Sequence, residues 1–383
     1  MVVLTCLGVA GPAQEPEAPA PAAWDPAKPI AYLLDHQNED GTWYTGLQVN
    51  PDTGGGITVG TTALACMALL EWRDAAPERA DVALDKGVAA CLRFVWKRQE
   101  AVRDFESVNW GQVFTLQLLG RLMRHPAWVA RRDELRRQID DILPWFWMRQ
   151  NRTGGWGYRS SFQTGAALIM LHELREAGIP HDETKLRAAI EMLKNLRGPL
   201  GYRYSEGSTV AQQQSVGEAQ ALREAAGRQG VAEYSLFLFG EVSRDDLAAT
   251  MGKFIEHRDY LWETRRLAGE GEWVRMGNAS PFAYFAFFGY RYGAMALGGV
   301  PPPRRAEWSG ILREDLLRVM EADGTWRNFP FDYERPGRTG YPGDDGPTRV
   351  WTAMQPNVEP GSKIYATSMA LLALRHIEGP VRE

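Results

Sequence analysis

Adjacent carboxylates are the first features of this sequence with a spacing suited to proton chemistry. Asp140-Asp141, Asp245-Asp246 and Asp344-Asp345 each set two acids side by side, and such pairing can keep one carboxyl protonated and able to act as an acid. The first two pairs fall in amphipathic helical stretches and read as solvated faces or helix starts. The third lies in a long Gly/Pro loop, 330–362, with Arg335, Arg338 and Arg349 nearby. There it could form a charged rim, or meet a hard cation given further oxygen ligands. The histidines at 36, 125, 172, 181, 257 and 376 show no ligand spacing, and no metal or cofactor site is expected. The cysteines at 6, 66 and 91 are too few for a Cys-rich zinc site. At most Cys66 and Cys91 could pair with each other; both stand among apolar helical neighbours, where buried free thiols are the expected state.

Recognition chemistry is the second prospect. The run PFAYFAFFGYRYGAMAL at 281–297 is densely aromatic. Helical spacing sets Tyr284, Phe288 and Arg291 on one face and Phe285, Phe288 and Tyr292 on another. Some of these rings should pack against neighbouring helices. Others should line a cavity suited to an apolar chain or to a sugar ring.

These residues need elements to hold them, and the sequence writes its elements repetitively. HQNEDGTW at 36–43 is echoed by RQNRTGGW at 149–156 and VMEADGTW at 319–326. Asp40-Gly41 and Asp323-Gly324 are turn dipeptides in which Gly accepts a positive φ. Gln37 and Gln150 end a helix, where an amide can satisfy loose backbone groups. The Trp that closes each echo supplies a large apolar area for packing. This reading makes Asp40 and Asp323 architectural and explains much of the count of 14 Trp. Setting Trp43, Trp110, Trp156, Tyr202, Trp273 and Trp326 in register, with Gly155 beside Trp156, gives six two-helix units. In each unit an amphipathic helix precedes a helix of small and apolar residues. The amphipathic members are expected at 28–37, 80–99, 133–150 (kinked at Pro144), 183–196, 244–262 and 308–321. A turn is expected at VNWGQ, 108–112, and a polar insert at 205–230. Nothing alternates with the period of a strand, and the alternation of helix types favours closure into an all-α, single (α/α)6 toroid with inner and outer rings.

The pattern Q-x-x-D-G-T-W followed by a Gly/Ala-rich helix resembles the repeats of the squalene–hopene cyclase and protein prenyltransferase superfamily, over about 28–376. The resemblance implies an α/α toroid whose hollow holds an isoprenoid or another ligand. The chemistry of that superfamily lacks its residues here. The Asp-x-Asp-Asp acid is incomplete at all three pairs, which are preceded by Gln138, Ser243 and Pro342. In the Tyr-His-Thr step of the prenyltransferase zinc site, Tyr365 and Thr367 match but Ala366 replaces the His, and Asp-x-Cys is absent. Cys-Gly-Glu-Gln, needed by thioester proteins of this fold, is absent too.

The chain begins MVVLTCLGVAG, an apolar run too short to span a bilayer and suited to a signal peptide (1–14), which points to export; Cys6 only loosely resembles a lipoprotein site. A Pro/Ala-rich linker (15–27), the toroid (28–378) and a short tail (379–383) follow. Net charge of −5 argues against nucleic acid as partner. The expectation is an exported toroid that binds an apolar or glycan ligand, or a protein partner, without catalysing a reaction. The rival is an enzyme acting on an isoprenoid or a polysaccharide through acids gathered in the hollow.

Overall fold

The computed structural model describes residues 24–43, 54–94, 96, 105–157, 159–208, 211, 215–269, 285–328 and 355–379. Thirteen α-helices are described, and no strand lies among the described residues beyond one bridge between Ser160 and Ser205. In chain order they are α1 (Ala27–Asp35), α2 (Gly54–Glu71), α3 (Pro77–Arg93), α4 (Phe105–Arg124), α5 (Arg132–Met148), α6 (Ser161–Glu176) and α7 (Glu183–Leu196). There follow α8 (Glu218–Leu238), α9 (Arg244–His257), α10 (Asp259–Gly269), α11 (Phe285–Ala296), α12 (Pro302–Arg318) and α13 (Gln355–Glu378).

Helices α2, α4, α6, α8, α11 and α13 pack each against the next, and α13 packs back on α2. This is a closed ring of six inner helices. The sequences of α2 and α6 are mostly small and apolar on every side, as burial on all faces demands. Glycines let the backbones approach: a Cβ on Gly230 of α8 would stand 2.9 Å from Gly293 Cα of α11. The amphipathic α1, α3, α5, α7, α9 and α12 form the outer layer, each turning an apolar stripe inward. The (α/α)6 toroid expected from the repeats is therefore present.

The octapeptides act as fasteners. The indole N–H of Trp43, Trp156 and Trp326 donates to the carbonyl ten residues upstream, at Leu33 (2.7 Å), Phe146 (3.1 Å) and Leu316 (2.7 Å). Their backbone N–H groups bond the hydroxyls of Thr62, Thr164 and Thr367 on the inner helices α2, α6 and α13. Gln37 donates to Gly41 O and Ala83 O, and Gln150 to Gly154 O and Lys185 O. Each amide thus ties its own turn to the next outer helix. Gly41 and Gly154 have φ of 87° and 102° and lie against Lys86 and Ala188 of that next helix. Gly324, with φ of 83°, lies against Lys28 of α1. The last fastener therefore grips the first outer helix, which is ring closure written in a turn. Asp40 and Asp323 each accept the N–H and hydroxyl of the Thr two residues on. Bonding to Thr42 lowers the Asp40 pKa; burial works to raise that of Asp323, but Lys363 and Thr325 together bring it below the ordinary value. Both are ionised turn caps.

Several expectations need correcting. VNWGQ is not a turn: α4 begins at Phe105, so Trp110 is an inner-helix residue. Pro144 does not interrupt α5, whose helix runs through it. The expected outer helix 244–262 is two helices, broken at Arg258. Residues 218–230 belong to α8, with Arg228 and Gln229 buried, so only the start of the polar insert is a connection. Tyr202 follows its positive-φ glycine (Gly201, 88°) by one residue and not two, and its hydroxyl donates to buried Glu233 in place of an indole bond. Trp273 lies outside the described residues. Trp24, in the stretch read as linker, packs edge-on against Trp72 and Trp326. Cys66 and Cys91 are buried free thiols, and burial pushes both up, Cys91 to about 12.

The fasteners generate a paired prediction. A Cβ at residue 154 would stand 2.2 Å from Ala188 O, so Gly154→Ala should cost about 3 kcal/mol from strain and clash. Gly310, exposed in α12 with open space around it, is the control, and Gly310→Ala should stabilise by roughly 0.5–1 kcal/mol. Urea unfolding of both variants checks the contrast.

Candidate functional site at the mouth of the bore

The connections from outer to inner helices are the long ones, and all six lead to the same face of the ring, where the inner helices begin. The returns from inner to outer helices are short. Loops that carry function need a rigid platform beneath them, and this face supplies one.

Across the ring, α4 stands opposite α11. Trp110 of α4 and Phe288 of α11 meet edge to face with centroids 5.6 Å apart, so aromatic rings span the bore near its mouth. Phe162 at the head of α6 joins both, at 6.0 and 6.1 Å, and Tyr204 from the connection into α8 lies 5.3 Å from Phe162. Trp110 and Tyr204 are half-buried, whereas Phe162 and Phe288 are buried. One turn deeper, Arg291 crosses the bore. Its Nη2 donates to Gln117 Oε1 of α4 at 2.8 Å, and Nη1 lies 3.6 Å from Met369 Sδ of α13. The guanidinium lies over the faces of Phe114 and Tyr292, 5.4 and 5.0 Å from their centroids. Burial lowers its pKa. Tyr365, half-buried, completes this level, and burial raises the pKa of Tyr292 and Tyr365 alike.

Below this level the bore becomes ionic. Arg121 of α4 donates to both oxygens of Glu173 on α6 at 2.9 Å and to Glu71 of α2 at 3.1 Å. Gln117 bonds Glu173 at 2.9 Å, linking this cluster to Arg291. Burial works to raise the Glu173 pKa, but Arg121 more than offsets it and holds the carboxyl at about 2. Arg375 of α13 lies 3.7 Å from Glu71, so the ladder crosses the seam between last and first units. A cavity of about 350 Å³ opens beneath, at the opposite face, lined by Glu71, Arg73, Arg121, Arg124, His125 and Arg375. Arg73 is paired with Asp81 and Arg124 with Glu176.

Phe288, Arg291 and Tyr292 thus converge with Tyr365 in the bore. The hollow implied by the resemblance is bridged at mid-height by the Arg291–Gln117 bond. Tyr284, Asp344 and Asp345 lie outside the described residues, as does the Phe285 side chain and most of loop 330–362. Asp140 pairs with Arg136 on the surface, and Asp246 closes a capping box with Ser243; neither Asp pair enters the bore. Sequence reasoning missed Trp110 as a bore residue, and it missed Gln117, Arg121 and Glu173 altogether. Their signal was polar residues on helices otherwise apolar all round. No group of His, Cys, Asp or Glu fit to hold a metal occurs among the described residues, and no described helix is long and apolar enough to cross a membrane.

No protein-family model matches the chain, and no curated protein matches it either. Among solved structures it is similar to an inactive variant of an α-1,6-mannanase, GH76A of Salegentibacter sp., in complex with α-1,6-mannotetrose. The identity is 12%, with 92% of this chain and 99% of that one covered and a TM-score of 0.47. A likeness this distant bears on neither family nor function.

The ion ladder has a direct test. Glu173→Gln leaves the buried Arg121 with Glu71 as its remaining carboxylate partner and should cost about 3 kcal/mol at pH 7. Because the folded pKa is depressed from 4.5 to about 2, the contribution is complete above pH 4.5 and is lost as pH falls toward 2. Denaturant titrations at several pH values should show the gap between wild type and variant closing over that window.

Proposed function

We propose that this chain is an exported glycan-binding toroid, a divergent relative of the squalene cyclase and prenyltransferase repeat proteins that holds its ligand at the mouth of the bore. The observation that carries the reading is the pairing of half-buried aromatic rings, Trp110, Tyr204 and Tyr365, with buried polar groups that lack partners. Tyr292 Oη and Arg291 Nε are among these. An isoprenoid would cover the rings but leave the Tyr292 hydroxyl and the Arg291 Nε unpaired, at a desolvation cost of roughly 1–3 kcal/mol each. A sugar presents an apolar ring face to the aromatics and hydroxyls to the polar groups. The non-catalytic reading rests on the described bore carboxylates, Glu71 and Glu173, both of which are tied to Arg121. Export rests on the N-terminal sequence.

A second reading has its own support. The longest connection in the sequence, between α12 and α13, carries Asp344-Asp345, and a polysaccharide-acting enzyme needs such a pair of acids.

Native mass spectrometry of the full chain against glycan and isoprenoid panels, followed by product analysis, separates these outcomes. The expected result is sugar binding without cleavage, weakened about tenfold or more by Trp110→Ala, as loss of a stacking ring implies. Cleavage abolished by Asp344→Asn or Asp345→Asn would replace the binding reading with the enzymatic one. Binding of isoprenoids alone would end both.

A further inference from the structure

Arg291 is fully buried, yet no carboxylate among the described residues bonds it. Its partners are an amide oxygen and a thioether, the second a weak acceptor, and Nε has none. Two other buried arginines, Arg228 and Arg265, are bonded to backbone carbonyls. Arg228 donates to the carbonyls of Tyr202 and Glu224, and Arg265 donates through two nitrogens to Arg327 O. The carboxylates nearest Arg291 are already occupied, since Glu173 and Glu71 both bond Arg121 and reach Arg291 only through the Gln117 amide. A buried cation that is neither paired nor fully bonded is costly, and it marks a place where a ligand charge would be welcome.

Its surroundings define what could meet it. Phe114 and Tyr292 place ring faces 5.4 and 5.0 Å from the guanidinium carbon, and its buried Nε has no hydrogen-bond partner. That geometry suits a flat acceptor lying in the guanidinium plane, as a carboxylate does. The Tyr292 hydroxyl is unpartnered beside it, and half-buried Tyr365 lies at the same depth. Both phenols can donate to the same anion, and both are held protonated by burial.

We infer that the bore recognises acidic sugars, with Arg291 receiving the carboxylate of a uronic acid residue while Trp110 and its neighbours take the ring faces. This rests on the glycan-binding reading and adds the charge of the ligand to it. Arg291 is a specificity residue in this account, and the selectivity it gives follows from the difference between a charged and an uncharged ligand at one position.

The test is calorimetric titration of the full chain with a tetragalacturonate, its fully methyl-esterified form and a neutral hexose tetrasaccharide. The ester keeps the ring and removes the charge. The free acid should bind at least tenfold more tightly than the ester, and Arg291→Gln should erase that ratio while retaining residual binding of the ester. Circular dichroism and thermal unfolding establish that the variant folds. Should it fail to fold, the acid-to-ester ratio on the wild type decides alone, a ratio of ten or more supporting the inference. Equal binding of acid and ester, or a ratio that survives Arg291→Gln, overturns the inference while leaving glycan binding intact. Binding of none of the three, together with failure of the wider glycan panel, removes the glycan reading and this inference with it.

Discussion

Everything in this ring depends on one repeated bond, the indole N–H of a fastener Trp donating to the carbonyl ten residues before it. That carbonyl belongs to the last turn of an outer helix, where backbone acceptors lose their intrahelical partners. The backbone N–H of the same Trp donates to a Thr hydroxyl on the next inner helix. A single residue thus satisfies one helix end, docks on another helix and fills the space between. The glycine two residues before it must adopt positive φ and carry no Cβ, because the next outer helix passes within contact. Repetition of so constrained a unit leaves the chain little choice but to curve, and Gly324 meeting Lys28 completes the circle.

Closure has a consequence for the interior. Six helices around one axis leave a bore, and here the described side chains fill it in layers of different chemistry. Aromatics occupy the end where the inner helices begin, Arg291 and two tyrosines the middle, and the Arg121–Glu173–Glu71 ladder the end where they finish. Arginines near helix C-termini also complement the negative ends of the helix dipoles, which favours cations at that end. The ionic end is self-satisfied. The middle is not, and that asymmetry points a ligand to the aromatic mouth.

The fold was legible in the sequence because its rules are local. Gln37, Gly41 and Trp43 sit within one turn of each other, and the same spacing recurs at Gln150, Gly154 and Trp156. Counting the echoes was enough to predict a toroid. The site was only half legible. Phe288, Arg291 and Tyr292 stood out as types in an aromatic run, but their meeting with Trp110 and Gln117 is set by the ring, which brings together helices distant in sequence. Trp110 was misassigned because it was placed in register with true fasteners, although its neighbours Asn109 and Gln112 continue a helix. Gln117, Arg121 and Glu173 left no motif, since a buried ion pair needs only two residues facing each other across a helix boundary. Tyr202 marks where the repeat itself drifted, exchanging an indole for a phenol bonded to Glu233.

The account ties function to the layer structure of the bore: ligand at the aromatic mouth, architecture at the ionic end. A crystal structure of the full chain grown with a bound oligosaccharide tests this most directly. The account predicts density for a sugar ring against Trp110 and Tyr204, with a polar substituent directed toward Arg291 and Tyr292. Density in the cavity beside Arg124 and His125, or in the outer groove of about 590 Å³ lined by Lys194, Tyr202 and Lys253, with the mouth empty, would contradict it.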